Sequence, residues 1–299
     1  MSRNRAATMG LRGMLVQITT IVVIITISNV AAKCVAKPDC RNKCGDVEIP
    51  FPFGLTKGCY RDDEFHITCD DHVAKTSGLT VTNISIETHG LRVLSDVARD
   101  CYNSNGTRVD HNQPSLHSAM YTISKTKNKF TAVGCNTYAF LTGKQNEENY
   151  SIGCMSLCNS LRNVVNGSCS GVGCCQVELP AGLNDISLEV GSYYNHKIVS
   201  KFNPCGYAFV VERGWFQFST DSLLNLSNKT LPMVLDWAIG NETCEEAAQN
   251  NTNFACKRNS ECHNLKTRSG YVCKCRQGYQ GNPYLDDGCQ GTYYSIIRL

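Results

Sequence analysis

The stretch Cys169-Ser170-Gly171-Val172-Gly173-Cys174-Cys175-Gln176 carries two adjacent cysteines beside closely spaced glycines. Neighbouring residues of an extended segment point to opposite sides, so Cys174 and Cys175 should form disulfides with two different partners. The glycines allow another backbone to approach closely. This segment is therefore predicted to be a cross-linking hub, and the sequence leaves both partners open.

Cysteines outside the hub continue this pattern, and the chain holds 19 of them in 299 residues. A cytosolic protein rarely carries so many thiols without a metal or redox motif, so disulfides formed in an oxidising compartment are the natural interpretation. The larger group, whose pairing stays open, consists of Cys40, Cys44, Cys59, Cys69, Cys101, Cys135, Cys154, Cys158, Cys169, Cys174, Cys175 and Cys205. The smaller group consists of Cys244, Cys256, Cys262, Cys273, Cys275 and Cys289.

Short strands and turns dominate the remaining pattern. Segments 80–87, 120–124, 130–133 and 207–211 are rich in β-branched and aromatic residues and are predicted strands. One short helix is expected near residues 154–161 or 231–238. The composition changes near residue 240, which predicts a mostly β, disulfide-rich larger domain over residues 37–240, a smaller one over residues 241–290 and a short tail over residues 291–299.

The first 36 residues have the features of a secretory signal peptide, because basic residues precede an apolar run over residues 14–27 that ends in small residues. Cleavage is expected after Ala32 or Ala36. The first position keeps Cys34 as a free or intermolecular thiol, whereas the second leaves an even number of cysteines, and both stay open. The run is a marginal membrane anchor, so secretion to the cell wall is predicted, with plasma-membrane tethering by an uncleaved signal as the alternative.

Charge gives no support for a nucleic-acid partner. The whole chain has a formal net charge of +3, but removal of residues 1–36 lowers the basic count from 29 to 25 against 26 acidic residues, which gives −1. Attraction to an acidic polymer would therefore need a local basic patch.

Eight Asn-x-Ser/Thr sequons without proline predict exposed N-glycosylation sites in an exported chain. They begin at Asn83, Asn105, Asn149, Asn166, Asn225, Asn228, Asn241 and Asn250. Glycans would mask the surface around them, so a ligand surface is expected where sequons are absent.

The smaller cysteine group resembles an EGF-like module, and residues 278–284 (Gly-Tyr-Gln-Gly-Asn-Pro-Tyr) strengthen the match. The resemblance implies the disulfides Cys244–Cys262, Cys256–Cys273 and Cys275–Cys289. Calcium-binding members of that family carry an acidic cluster before the first cysteine, whereas only Asn241 and Glu242 offer oxygen ligands here. The module is interpreted first as a disulfide-tied spacer without a metal or cofactor, with a calcium site as the alternative.

Residues 49–54 (Ile-Pro-Phe-Pro-Phe-Gly) should form an extended edge, because two prolines exclude both a helix and a central strand. Phe51 and Phe53 are expected to pack inward. A sugar-stacking platform is their less favoured role.

Several motifs together resemble one known family. They are Cys44-Gly45 with residues 49–54, residues 129–135 (KFTAVGC), residues 153–158 (GCMSLC), the hub with Pro180, and residues 204–209 (PCGYAF). With the EGF-like module they are similar to the galacturonan-binding ectodomain of plant wall-associated receptor kinases. This resemblance implies binding of pectin, a polymer of galacturonic acid. No kinase motif is present and residues 293–297 are too few to span a bilayer, so a secreted or truncated ectodomain is expected.

A reader of polygalacturonate needs several Lys or Arg side chains along a groove, with aromatic rings beneath the sugars. Lys125, Lys127 and Lys129 are the first candidates, since they would share one face of a strand. A charged edge strand is their favoured structural interpretation.

A second candidate group lies near the N-terminal cysteines and precedes the first sequon. It combines Lys57 and Arg61 with Lys43 and Arg41. Another set of residues, Trp215, Phe216 and Phe218 beside Arg213, offers stacking surface, although a role in the core is favoured for these rings.

The leading interpretation is a non-catalytic polysaccharide-binding protein, because the histidines and carboxylates match no hydrolase or metalloprotease motif. A protein-interaction or decoy ectodomain that binds a secreted peptide or a receptor ectodomain is the alternative. A wall hydrolase or its inhibitor is a third hypothesis.

Overall fold

The computed structural model describes residues 35–118, 120–145, 148–226, 229–249, 253–266 and 268–291, which belong to one compact unit beginning at Val35. The predicted signal peptide up to Cys34, residues 293–297 and the sequon residues Asn228 and Asn250 lie outside the described residues. The fold is mostly β, as the sequence predicted, and its paired strands run antiparallel. A small hairpin of β1 (Lys43–Cys44) and β2 (Val47–Glu48) comes first.

A six-stranded sheet supplies much of the core. Its strands are β3 (Thr68–Asp70), β4 (Val73–Thr76), β5 (Leu79–Ser85), β6 (Gly90–Asp96), β10 (Thr122–Ile123) and β17 (Thr230–Asp236). Their order across the sheet is β10-β17-β6-β5-β4-β3. The prediction of a helix near residues 231–238 is wrong, because this apolar run is a central strand buried on both faces between β10 and β6.

Two further sheets complete the larger part of the unit. One contains β7 (Ala98–Tyr102), β8 (Arg108–Asn112), β11 (Asn128–Val133), β14 (Cys174–Val177) and β16 (Cys205–Glu212) in the order β14-β11-β16-β7-β8. The other contains β9 (Ser115–His117), β12 (Thr137–Gln145), β13 (Glu148–Ser156) and β15 (Asp185–Ser192) in the order β13-β12-β15-β9. The alternative helix near residues 154–161 is also wrong, since that segment contains the end of β13 and the start of a single 3-10 turn, Leu161–Asn163.

Helical structure is short in the described residues. Besides the 3-10 turns Asp63–Phe65 and Leu161–Asn163, it comprises α1 (Asp221–Leu224) and α2 (Cys244–Gln249). A capping box opens α2: Thr243 Oγ1 accepts from the Glu246 N–H at 3.2 Å, and Glu246 Oε2 accepts from the Thr243 N–H at 2.8 Å. The smaller module continues with the hairpins β18 (Ser260–Asn264) and β19 (Tyr271–Cys275), then β20 (Tyr279–Gly281) and β21 (Cys289–Gly291).

Nine disulfides join all the cysteines of the described residues. In the larger part they are Cys40–Cys59, Cys44–Cys69, Cys101–Cys205, Cys135–Cys158, Cys154–Cys175 and Cys169–Cys174. The hub prediction is confirmed, because Cys174 and Cys175 bond to different partners. In the smaller module the pairs are Cys244–Cys262, Cys256–Cys273 and Cys275–Cys289, the same three that the EGF-like resemblance implies.

Aromatic rings from the N-terminal segment form the centre of the main core. Phe51 and Phe53 are only 6% and 0% exposed, which confirms their packing role. The Phe53 ring meets Phe65 at 5.1 Å and Trp237 at 5.3 Å between centroids, both edge to face. The chain is fixed here by packing around Trp237, which is itself 1% exposed.

The smaller module shares this core. The Tyr284 ring packs against Trp237 with centroids 5.6 Å apart, and the Ile239 and Tyr271 backbones exchange hydrogen bonds of 2.8 and 3.1 Å. His89 Nε2, in the turn between β5 and β6, lies 3.1 Å from the Cys273 carbonyl oxygen. The two parts are therefore joined by buried contacts, a feature that the cysteine pattern did not predict. The boundary at residue 240 remains a prediction.

One amide side chain extends the joint to the start of the described chain. Buried Asn282 donates from Nδ2 to the carbonyl oxygens of Phe51 at 2.6 Å and Val35 at 3.1 Å. Arg61 adds a second polar contact, because its guanidinium donates to the Asn253 carbonyl oxygen. These bonds attach the module to the N-terminal segment, since unmade buried hydrogen bonds are costly.

Candidate carbohydrate-binding site

A disulfide brings basic residues from two segments together at the N-terminal end of the structure. The Cα atoms of Cys40 and Cys59 are 5.6 Å apart, so this bridge is flanked by Arg41 from one segment and Lys57 from the other. Lys37 spans both segments, since its Nζ donates to the Gly58 carbonyl oxygen at 3.1 Å. We call Lys37, Arg41, Lys43 and Lys57 the N-terminal basic patch.

The cations of this patch are largely available to a ligand. Arg41, Lys43 and Lys57 are exposed. Within the described part of the chain, neither Arg41 nor Lys57 has a hydrogen-bonding or ionic side-chain partner, and Lys43 has only a solvent-exposed pair with Glu48 at 3.8 Å. Such exposed pairs contribute little, about 0 to 1 kcal/mol, so a ligand carboxylate can replace Glu48 at low cost.

Arg61, the fourth residue of the candidate group identified from the sequence, has a different environment. Its side chain is only 19% exposed and lies 3.7 Å from the Asp62 carboxylate, in addition to its contact with Asn253. Desolvation, followed by repulsion from Glu64, raises the pKa of Asp62, and Arg61 offsets part of that rise. Arg61 therefore mainly connects the two parts of the molecule, and its charge is less available to a ligand than those of Arg41 and Lys57.

The lysines at residues 125–129 do not share one face of a strand, which corrects the prediction. Lys125 and Lys127 lie in the turn between β10 and β11, and only Lys129 is on a strand. The edge-strand interpretation is also wrong, because β11 lies between β14 and β16. The turn forms because the buried Asn128 amide accepts from the Val234 N–H and donates to the Ser124 and Val234 carbonyls, at 2.7 to 2.8 Å.

Acidic partners compensate two of these lysines. Lys127 Nζ donates to the Thr88 carbonyl at 2.7 Å and lies 3.3 Å from Asp236, while Lys129 lies 3.9 Å from Glu178. Arg213 forms a bidentate pair with Glu178 and, ahead of Lys129, lowers the pKa of that carboxyl. This surface keeps a small positive excess, because Arg213 and the three lysines face two carboxylates, and Lys125 is the one exposed lysine of the three.

The three aromatic residues near Arg213 separate into two classes. Phe218 is 4% exposed, and Phe216 packs edge to face on Phe209 with centroids 5.1 Å apart. Trp215 is 60% exposed. The favoured core role holds for the two phenylalanines and fails for the tryptophan.

Comparison with known proteins shows what these residues belong to. Residues 40–95 match the family described as wall-associated receptor kinase galacturonan-binding. The match then continues through most of the chain, with 42% identity over 259 residues to Wall-associated receptor kinase 2 of Arabidopsis thaliana. The chain resembles the extracellular region of wall-associated receptor kinases.

The similarity to wall-associated receptor kinases covers 85% of this chain but only 34% of kinase 2, and 36% of Wall-associated receptor kinase 3 at the same 42% identity. The chain thus spans about a third of the length of the curated relatives it matches. Wall-associated receptor kinase-like 5 is similar at 29% identity over 84% of the chain. No solved structure matches the chain significantly.

The region that matches the galacturonan-binding family of wall-associated kinases contains Arg41, Lys43, Lys57 and Arg61, whereas residues 125–129 lie beyond it. Lys37 joins the patch in space and was missed from the sequence. The sequence would have indicated Lys37 only if the Cys40–Cys59 bridge had been known, because that bridge brings the segment of Lys57 close to Lys37.

The six sequon asparagines that the structure describes are all exposed. They are Asn83, Asn105, Asn149, Asn166, Asn225 and Asn241. Asn166 also accepts from the Thr220 N–H through Oδ1 at 2.7 Å. Their positions are compatible with glycosylation, which remains a prediction.

The described residues contain neither a membrane-spanning helix nor a cluster of metal ligands. None of the helices there is both long and apolar enough to cross a bilayer. Within the same residues, His, Cys, Asp and Glu side chains form no group of three or more suited to a metal ion.

Proposed function

We propose that this chain is an exported, non-catalytic polysaccharide-binding protein that recognises galacturonan through the N-terminal basic patch. The observation that carries the proposal is the coincidence of two independent findings. The galacturonan-binding family match covers residues 40–95, and that same segment presents Arg41 and Lys57 as exposed, unpaired cations around one disulfide.

The chemistry of the ligand fits this arrangement. De-esterified galacturonan carries a carboxylate on each sugar, so exposed cations from neighbouring segments can contact different residues of the polymer. Disulfide Cys40–Cys59 holds the two segments in register, which lowers the ordering cost of binding. Since the contacts are exposed charge pairs, binding should weaken steeply as salt is added.

A pair of matched charge variants tests the proposal. Arg41→Gln with Lys57→Gln removes two cations from the patch, whereas Lys266→Gln with Lys274→Gln removes two exposed cations from the smaller module. At about 0.5 to 1 kcal/mol per exposed pair, the first variant should bind de-esterified pectin about 5- to 30-fold more weakly. The control should bind as the parent does.

Retention on immobilised polygalacturonate across a salt series gives the measurement. The parent should elute with rising salt and the patch variant earlier. Equal losses in both double variants would show that only net charge matters and would overturn the assignment of the patch.

We also infer that residues 1–36 act as an export signal and that the described sequons carry glycans in the cell wall. Support comes from the nine disulfides and from the exposure of the six described asparagines. Intact-mass measurement of the exported chain, with and without deglycosylation and after alkylation, should show a start after Ala32 or Ala36 and no reactive thiol beyond Cys34. Several free thiols in the folded protein would contradict it.

A further inference from the structure

A second surface of the molecule presents a row of exposed aromatic rings. Tyr138 and Phe140 alternate along β12 with Ala139 and Leu141, which are both fully buried, so the two rings belong to the outer face of the four-stranded sheet. Phe140 is 40% exposed, and Tyr193, just beyond β15, is 50% exposed. Apolar rings exposed to water on the face of a sheet are unusual, and such exposed apolar patches often mark binding sites.

The rings lie across the neighbouring strands. Opposite Tyr138 on β15 is Gly191, where an added Cβ would come within 2.5 Å of the tyrosine ring. Opposite Phe140 on β13 is Gly153, where an added Cβ would come within 3.2 Å of the phenylalanine ring. The absence of a side chain at each glycine leaves room for the opposite ring against the sheet.

Contacts between the rings fix them as a platform. The centroids of Tyr193 and Tyr138 are 5.1 Å apart with planes at 59°, and those of Tyr138 and Phe140 are 5.9 Å apart with planes at 50°, so the rings follow a twisted surface. Tyr193 Oη also donates to the Met155 sulfur at 3.0 Å, and Met155 is itself 51% exposed. We call Tyr138, Phe140, Tyr193 and Met155 the aromatic platform.

A polar depression continues the platform along the same face. It has a volume of about 430 Å³, and the side chains on its floor include the hydroxyls of Thr142, Ser151 and Ser187. Thr142 follows Phe140 at the next outward position of β12, so the rings and the hydroxyls form one track. A pyranose chain also presents apolar ring faces beside hydroxyl groups, so its surface is complementary to this track.

Charge determines which kind of sugar chain suits this track. The charged residue directly beside the rings is Glu189, paired opposite Phe140 and exposed. Lys144 and Asp185, which carry charges of opposite sign, line the far end of the depression. An acidic polymer would be repelled by Glu189, whereas an uncharged chain would not.

We propose that the aromatic platform and its polar depression form a second carbohydrate site, which binds an uncharged hexopyranose chain of the cell wall. Stacking on Phe140 and Tyr193 supplies the affinity, and the hydroxyls of the depression orient the chain. The site is separate from the N-terminal basic patch, and its ring and hydroxyl contacts involve no cation. It gives the molecule a salt-insensitive contact with wall material beside the salt-sensitive one.

Exposed aromatic residues provide matched variants. Phe140→Ser with Tyr193→Ser removes two rings of the platform, and Trp215→Ser removes an even more exposed ring from another surface. The probes are soluble cello-oligosaccharide, β-1,4-galactan and fully methyl-esterified galacturonan, with polygalacturonate as the charged comparison. Calorimetry on the full exported chain at low and high salt gives the affinities.

The platform variant should bind at least one uncharged probe about tenfold more weakly than the parent, at either salt concentration. Trp215→Ser should match the parent, and polygalacturonate binding should be unchanged by the platform variant. Failure of the parent chain to bind polygalacturonate, with binding of an uncharged probe retained, would count against the proposed function and leave this site standing.

Three outcomes would overturn the inference. The first is failure of the parent to bind any uncharged probe. The glycan inferred at Asn149 would lie opposite Lys144 at the far end of the depression, away from Phe140. The second outcome is therefore binding only after Asn149→Gln, which would show that this glycan covers the whole face. The third is equal weakening by Trp215→Ser, which would indicate nonspecific aromatic adsorption.

Discussion

Acidification should weaken the joint between the two parts of the molecule through His89. Burial lowers the pKa of His89 from 6.5 to about 4, and its side chain contacts Cys273 and Trp237 inside the shared core. The unfolded chain regains the ordinary pKa, so the unfolded state binds the extra proton between these two values. Stability is therefore fully present above pH 6.5 and decreases as the pH falls towards the folded pKa.

The magnitude follows from the two pKa values. Linkage between a folded pKa of about 4 and an unfolded pKa of 6.5 predicts a loss of about 2 kcal/mol between about pH 7.5 and about pH 5. His89→Asn removes the titrating group, and asparagine tolerates the left-handed backbone there, with φ of 51°. The variant loses the packing of the ring at every pH. In addition, the part of the free energy of unfolding that depends on titration of His89 should be absent from it.

Urea unfolding with the disulfides intact measures this difference. The free energy of unfolding is determined for the parent and for His89→Asn at both pH values, so that titration of carboxylates common to both chains cancels. The parent should lose about 2 kcal/mol more than the variant. His196 provides a positive control, since burial also lowers its pKa and a His196→Asn variant should change the slope in the same direction. Identical pH slopes in the parent and His89→Asn would refute the reasoning.

Three further predictions concern stability. Asn282→Ala removes the buried hydrogen bonds at the joint and should cost about 2 to 4 kcal/mol in urea unfolding, and an unchanged midpoint would contradict that. Cys175→Ser should cost about 2 to 5 kcal/mol and leave a Cys154 thiol that is alkylated once the protein is unfolded in urea without reductant, whereas no alkylated Cys154 would indicate another pairing. Gly270→Ala would place a Cβ against a backbone carbonyl at φ of 97°. It should destabilise the protein more than Gly214→Ala, since Gly214 has a similar φ of 80° but open space around it. Equal costs would show that backbone strain alone is responsible and that the close contact at Gly270 adds nothing.

Patterns within short stretches of the sequence predicted the features that depend on residues close together in the chain. Adjacent cysteines on an extended segment needed separate partners, and the structure gives them Cys154 and Cys169. The apolar run at residues 231–238 was ambiguous, because a strand buried on both faces and a buried helix have the same composition. Its identity depends on β6 and β10, which lie far away in the sequence.

The candidate site shows the same limit. Lys127 looked like a free cation, and its acidic partner Asp236 is 109 residues away. Exposure of Phe140 is likewise set by the sheet pairing, which places Gly153 and Glu189 beside it. Propensity and spacing indicated the types of residue that bind sugars, but long-range pairing determined which of them stay available.

The Asn282 bond to the Val35 carbonyl places the beginning of the folded unit beside its last hairpin, where Gly281 pairs with Cys289. The two ends of the described chain therefore lie close together in the folded unit. A tensile load applied between them would be carried locally, across a few side-chain bonds and the Cys275–Cys289 bridge. The four-stranded sheet that bears the aromatic platform would remain unstretched.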